Sequence, residues 1–217
     1  MDKIWEKIHE SSTWGGYPPE HVIRFVARNY YSHNRKQVKI LDFGCGQGAN
    51  TWYLAREGFD TYAFDGSDSA IKKCEEKLKR EGLVANLQVS DGSLVNYPDD
   101  SFDAVIDNAC IYANEVKNIE KMYRNIFSML KSGGKLLTAC FGKELGGYNT
   151  GVEIESGTYK DIKEGVLANR GVSHIYTEEE LKSILRNIGF TIEQCDWIRY
   201  IDRGNMVHQI ICVAKKA

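Results

Sequence analysis

An apolar run, Val38-Lys39-Ile40-Leu41-Asp42-Phe43, leads into Gly44-Cys45-Gly46-Gln47-Gly48 and then into Asn50 to Glu57, a helical pattern stopped by Gly58. The run has strand composition, and a glycine just past a helix is a common stop. Alternating glycines between a strand and a helix do more than turn the chain. They permit backbone angles that other residues avoid and let a ligand approach the main chain. The helix start behind them offers unpaired N–H groups. An isolated Gly-x-Gly fits a plain tight turn, but three alternating glycines in this position point to a nucleotide or adenosyl ligand.

The rest of the chain alternates in the same way, which predicts a layered α/β domain. Residues 20 to 32 read as a helix behind Pro18-Pro19, carrying Val22, Ile23, Phe25 and Val26. Thr61 to Asp65 reads as a strand, and a helix runs from Ser67 or Asp68 to Glu81, with Gly82 ending it. Strands follow at 85 to 90 and 102 to 107, then a helix at 115 to 130 and a strand at 135 to 141 entered through Ser132-Gly133-Gly134. Thr177 with Glu180 forms a capping-box pattern for a helix closed by Gly189. Two final strands, 190 to 201 and 206 to 214, flank a turn at Asp202-Arg203-Gly204-Asn205 and suggest a hairpin. Only Gly142 to His174 lacks clear periodicity, and such segments are commonly functional.

Composition removes several classes. The 217 residues fit one domain, and 24 aromatic residues (8 Phe, 4 Trp, 12 Tyr) supply a core. A chain this long buries roughly 70% of its unfolded surface, so neither disulfides nor a structural metal are required. The six cysteines, at 45, 74, 110, 140, 195 and 212, include no C-x-x-C pair, so no metal is expected. Reduced thiols and the lack of a signal-like or long apolar segment suggest a cytoplasmic protein with no membrane partner. The 28 basic and 30 acidic residues leave no positive field for a polyanion, so no nucleic acid is expected.

The neighbours of the glycine loop narrow the ligand. Gly44-x-Gly46-x-x-Ala49 also fits a dinucleotide fingerprint, with Asp65 lying 21 positions after Gly44, where an NAD ribose acid sits. Asp42 shifts the balance, because a carboxylate in this loop crowds a pyrophosphate and suits a ligand with an ammonium and no phosphate. S-adenosylmethionine is such a ligand.

At these residues the sequence resembles the class I S-adenosylmethionine-dependent methyltransferases, strongly over residues 36 to 141. Leu41-Asp42-Phe43-Gly44-Cys45-Gly46-Gln47-Gly48 is similar to the family's first motif, and Asp65-Gly66-Ser67 to the second, whose acid accepts from the ribose hydroxyls. Ser90-Asp91-Gly92-Ser93 matches the position that accepts from the adenine amine, and Asp107-Asn108-Ala109 lies near the methionine end. Leu130-Lys131-Ser132-Gly133-Gly134 resembles the L-K-P-G-G turn, with Ser for Pro. The resemblance implies an α/β, Rossmann-like, seven-stranded and mostly parallel sheet, with helices on both faces and an antiparallel last strand. It also implies S-adenosyl-L-methionine as cofactor, held by Asp42, Phe43, Gly44, Cys45, Gly46, Gly48, Asn50, Asp65, Gly66, Ser67, Asp91, Gly92, Ser93 and Asn108. Related enzymes fold an N-terminal segment over the cofactor, which adds Trp14 and Tyr17. The expected layout is one domain over 1–217: an N-terminal lid and helix (1–35), a cofactor-binding core (36–141), a substrate cap insert (142–174) and a closing helix and hairpin (175–217).

Methyl transfer from a sulfonium is an in-line displacement in which proximity and orientation do most of the catalysis. A hydroxyl acceptor also wants a base. His174, ending the irregular segment, and Tyr112, just after the fourth strand, are the catalytic candidates. The absence of a proline–aromatic signature after Asp107 and the modest cap favour a small-molecule acceptor, methylated on O or N, and a monomer or homodimer. The rival readings are an NAD-dependent oxidoreductase and a non-catalytic S-adenosylmethionine-binding module.

Overall fold

The computed structural model describes residues 2–217. In chain order the elements are α1 (Lys3–Ser11), α2 (Glu20–Tyr30), β1 (Lys39–Phe43), α3 (Ala49–Arg56), β2 (Asp60–Asp65), α4 (Asp68–Arg80), β3 (Asn86–Val89), β4 (Phe102–Asn108), α5 (Val116–Met129) and β5 (Leu130–Phe141). There follow β6 (Val152–Glu155), β7 (Thr158–Lys160), β8 (Ser173–His174), α6 (Glu178–Ile188), β9 (Phe190–Asp202) and β10 (Asn205–Lys216).

Seven strands form one sheet in the order β3-β2-β1-β4-β5-β10-β9. The ladders from β3 to β5 are parallel, and β10 runs antiparallel to both of its neighbours. Alternate strand residues face opposite layers. Leu41 and Phe43 of β1 join a core with Ile119, Tyr123 and Ile126 of α5 and Leu181 and Leu185 of α6. Ile40 joins a second core with Val22, Phe25 and Val26 of α2, Leu54 of α3 and Leu78 of α4. Both faces are thus covered, and Ile40, Leu41 and Phe43 are fully buried, as a central parallel strand requires.

Three local features depart from the sequence expectation. At nine residues, α1 is too short to be stable alone. It is held by the Asp2 side chain capping Ile4 N at 3.0 Å and by Glu6, which accepts from the Ser67 and Ser69 hydroxyls on the far side of the glycine loop. The expected Ser132-Gly133-Gly134 turn is present but enclosed within β5, where the pairing jumps from Phe102↔Leu130 to Ala104↔Lys135 and Gly133 takes φ +79°. Residues 142–174 contain a small antiparallel sheet, β6-β7-β8, whose strands of two to four residues are too short to show a period. No helix among the described residues is long and apolar enough to cross a membrane.

Candidate functional site

A cavity of about 340 Å³ opens at the C-terminal edge of the parallel strands, where the strand order reverses between β1 and β4. Open α/β sheets bind their ligands at this position. The loop after β1 is forced into shape by packing. Gly44 has φ +71°, and a Cβ there would lie 2.6 Å from Cβ of Cys110. Gly48 has φ +81°, and a Cβ there would lie 2.9 Å from Cβ of Cys74. Gly46, between them, faces open space, with nothing nearer to its Cβ position than His9 Cε1 at 3.5 Å. Two glycines therefore seat the loop, and the middle one leaves room above it.

The carboxylates divide into those that reach the cavity and those that brace it. Asp65, at the end of β2, lines the cavity; its Oδ2 accepts from Gly46 N and its Oδ1 from Ser67 N, both at 2.9 Å. Asp91 lines it after β3, with its Oδ1 held by Ser93 N and Oγ at 2.8 and 2.7 Å. Asn108 lines it at the end of β4, and its Oδ1 is 2.8 Å from His21 Nε2. Burial pushes the His21 imidazole below its usual value, so a neutral ring fixes the Asn108 side chain. Ala109, next in the chain and also at the cavity, is a non-glycine residue at φ +58°. That left-handed backbone is held by Asp107, whose Oδ1 accepts from Cys110 N at 3.0 Å and Ile111 N at 3.1 Å.

Asp42 corrects one expectation. It does not enter the cavity, because the alternation of β1 turns it toward α3, where Thr51 Oγ1 donates to it at 2.6 Å and Asn50 Nδ2 at 3.3 Å. It is a strut under the helix start and is not part of the cavity lining. Phe43, Gly48, Ser67 and Ser93 likewise lie behind the lining: Phe43 packs edge-on against Phe64, and Ser67 caps α4 through Ala70 N. Gly44, Cys45, Gly46, Asn50, Asp65, Gly66, Asp91, Gly92, Asn108, Trp14, Tyr17 and Tyr112 all line the cavity.

Residues 2–19 close the opening. Trp5, His9, Trp14 and Tyr17 line it. Trp5 and Trp14 meet edge-to-face at 5.8 Å, and His9 lies 5.1 Å from Trp14. Gln47 clamps this segment to the glycine loop, accepting from Trp14 N at 3.1 Å and donating to Ser12 O at 2.8 Å. No local pattern in the sequence places His9 or Gln47 at this opening, since the signal for each is a long-range contact.

On the β4–β5 side the lining includes Tyr112, Met122, Phe141 and Arg170. Of residues 142–174, only Arg170 lines the cavity. His174 does not reach it. Its ring is fully buried, with Nδ1 2.7 Å from Thr158 Oγ1 and Nε2 3.0 Å from Glu180 Oε1. Its backbone N donates to Tyr112 O at 2.8 Å. Both ring nitrogens being engaged, His174 ties β7, β8 and α6 together directly behind Tyr112. His174→Ala is therefore expected to lower the unfolding free energy by about 1–3 kcal/mol, the cost of leaving buried partners unpaired. Urea unfolding measures it, and a wild-type midpoint with lost turnover would restore the catalytic role.

Asp42 and Asp107 are fully buried, and burial pushes each carboxyl up to about 6 against the pull of its hydrogen bonds. The native state thus binds these protons more tightly than the unfolded chain, whose Asp titrates near 3.9. The stability each group contributes is fully present below about pH 4 and is lost as the pH rises through about 6, on the order of 2–3 kcal/mol apiece. Asp107→Asn removes one share. Relative to that variant, the wild type is expected to gain on the order of 2 kcal/mol between pH 7 and pH 4. Urea midpoints across that range check it, and parallel pH profiles would contradict the shift.

The methyltransferase-domain family matches residues 40–134 of this chain. The sterol 24-C-methyltransferase of Neurospora crassa is 26% identical over 162 residues, 73% of this chain and 41% of that protein. Phosphoethanolamine N-methyltransferase 2 of Caenorhabditis elegans is 28% identical over 174 residues, 72% of this chain and 39% of that protein. The chain thus spans about two-fifths of the length of these relatives. A solved structure from Methanosarcina mazei, described as a SAM-dependent methyltransferase, superposes with a TM-score of 0.74 at 25% identity, over 86% of this chain and 95% of that one.

Proposed function

We propose that this chain, whose residues 40–134 match the methyltransferase-domain family, is a class I S-adenosylmethionine-dependent methyltransferase that transfers a methyl group to a small-molecule acceptor. The observation that carries this reading is the convergence of the open Gly46 face, Asp65, Asp91 and Asn108 on one cavity at the sheet's switch point. When bound, S-adenosylmethionine supplies an activated methyl group, displaced in line by the acceptor.

The lining fits that cofactor. Asp2, Asp65 and Asp91 line the cavity with Arg170 as the one Arg or Lys side chain among the described residues, a field that favours a cationic ligand over a pyrophosphate. Asn50 lines it too, and its Oδ1 has no hydrogen-bond partner, an acceptor left for an incoming donor. Asp65 is the proposed partner of the ribose hydroxyls, Asp91 of the adenine end, and Asn108 of the methionine end. Trp5 and Trp14, in edge-to-face contact at the opening, exclude water from that side of the bound cofactor. Tyr112, whose hydroxyl burial holds above the usual phenol range, stays neutral and donates a hydrogen bond that orients the acceptor, rather than abstracting its proton. His174 is a positioning residue behind it.

The sequence expectation of an O or N acceptor widens to carbon, nitrogen or oxygen, since the relatives include one enzyme named for C- and one for N-methylation. Calorimetry with S-adenosylhomocysteine and with NAD tests the assignment: the first is expected to bind and the second not, and binding of NAD alone overturns it. A labelled-methyl assay over a metabolite panel then separates an enzyme from a non-catalytic binding module.

A further inference from the structure

We propose that Arg170 and Tyr112 form an anion subsite on the cap side of the cavity, receiving a carboxylate or phosphate group of a bound small molecule. The inference rests on the methyltransferase reading for the identity of those molecules, but its geometry does not depend on it. Arg170 is the one residue that the 142–174 segment sends to the cavity, and the one Arg or Lys side chain among the described lining residues. Its guanidinium sits 5.0 Å from the centre of the Trp14 ring. That contact steadies the cation but leaves its in-plane N–H donors free. Arg170 makes neither an ion pair nor a side-chain hydrogen bond with the described residues. Asp2, the acid beside neighbouring Gly171, spends its Oδ1 on capping Ile4 N and forms no ion pair with Arg170.

Tyr112 supplies the second donor. It is 2% exposed, its ring is fixed edge-on against Phe141 at 4.8 Å, and its hydroxyl has no hydrogen-bond partner among the described residues. Burial pushes the Tyr112 phenol up, and the positive charge of Arg170, which lines the same cavity, pulls against that push. A half-buried guanidinium and a phenol hydroxyl at the cavity, neither paired with an acceptor of the described residues, leave donors for an anion to take up. Planar, bidentate recognition of carboxylate and phosphate is what a guanidinium does best. Asp65 and Asp91 lie across β1 on the β2–β3 side, away from Arg170 and Tyr112, while Asp2 is the one lining carboxylate on the Arg170 side.

The anion arrives on the acceptor or on the methionine tail of the cofactor, and calorimetry on the full chain separates the two. The probes are phenyl phosphate and benzoate, alone and with S-adenosylhomocysteine, then S-adenosylhomocysteine against methylthioadenosine, which lacks the amino-acid tail. If the acceptor brings the anion, Arg170→Gln weakens phenyl phosphate or benzoate about tenfold or more and leaves S-adenosylhomocysteine unchanged. If the cofactor brings it, Arg170→Gln weakens S-adenosylhomocysteine by a similar factor and leaves methylthioadenosine unchanged. In either case Tyr112→Phe gives a smaller loss in the same direction, and Arg170→Lys recovers part of it. Thermal unfolding verifies that the variants remain folded. The subsite is overturned if Arg170→Gln alters neither arm, or weakens methylthioadenosine as much as S-adenosylhomocysteine. Failure of the wild type to bind S-adenosylhomocysteine would instead refute the methyltransferase reading, with the phenyl phosphate arm on the free chain still deciding the subsite.

Discussion

Gly44→Ala is expected to destabilise the protein by about 2–5 kcal/mol and to abolish binding of S-adenosylhomocysteine. Two costs combine. At φ +71° an alanine occupies the left-handed region, which costs about 1–2 kcal/mol. Its Cβ would also overlap the Cys110 side chain, lying 2.6 Å from Cβ of that residue, and overpacking of this kind costs about 1–3 kcal/mol. The loop has little room to yield, since Cys45 N donates to Phe64 O at 2.9 Å and Gly46 N to Asp65. Urea unfolding measures the stability loss. Adding Cys110→Gly to Gly44→Ala is expected to recover the overlap share while leaving the backbone share, a coupling that a double-mutant cycle isolates. Wild-type stability of Gly44→Ala would mean that the loop is not packed as described.

Asp65→Ala is expected to weaken S-adenosylhomocysteine about 10- to 150-fold, corresponding to loss of about 1.5–3 kcal/mol of charge-assisted hydrogen bonding. The carboxylate acts twice. Its proposed contact with the ribose hydroxyls is lost, and so are the two bonds at 2.9 Å by which it orients Gly46 N and Ser67 N. Asp65→Asn keeps one acceptor oxygen but no charge, so its loss is expected to fall between those of wild type and Asp65→Ala. The midpoint of thermal unfolding should move far less than the affinity, because Asp65 sits at the cavity rim of the core. Unchanged affinity in Asp65→Ala would remove this residue from the ligand.

Some of this site could be read directly from residues. Gly44, Gly46 and Gly48 announced a ligand-binding loop because their alternation between a strand and a helix is a local pattern. Asp65, Asp91 and Asn108 each end a run of strand composition, and a parallel sheet brings such ends to one edge whatever the order of its strands. Asp42 misled for a reason just as physical: its charge is visible in sequence, but the face of β1 it occupies is set by which neighbours Leu41 and Phe43 must pack against. His174 misled because its position beside the cap indicated the cavity, whereas Thr158 and Glu180, 16 and 6 residues away, capture its ring.

Local order was therefore available from sequence: the elements from α2 to β5 and from α6 to β10, the glycine loop, the capping box at Thr177, and the acids at the strand ends. Those features depend on periodicity, backbone conformation and neighbours within a turn or two, which a sequence states outright. The tertiary structure decided the rest. It set α1 against Ser67 and Ser69, clamped Trp14 through Gln47, turned Asp42 away from the cavity and His174 behind it, and brought Arg170 into the cavity that Tyr112 lines. Each of these depends on contacts that no local pattern links, whether 6 positions apart, as for His174 and Glu180, or 61, as for Glu6 and Ser67. Such contacts arise from burying whole faces of helices and sheets together, so no single stretch of the chain specifies them.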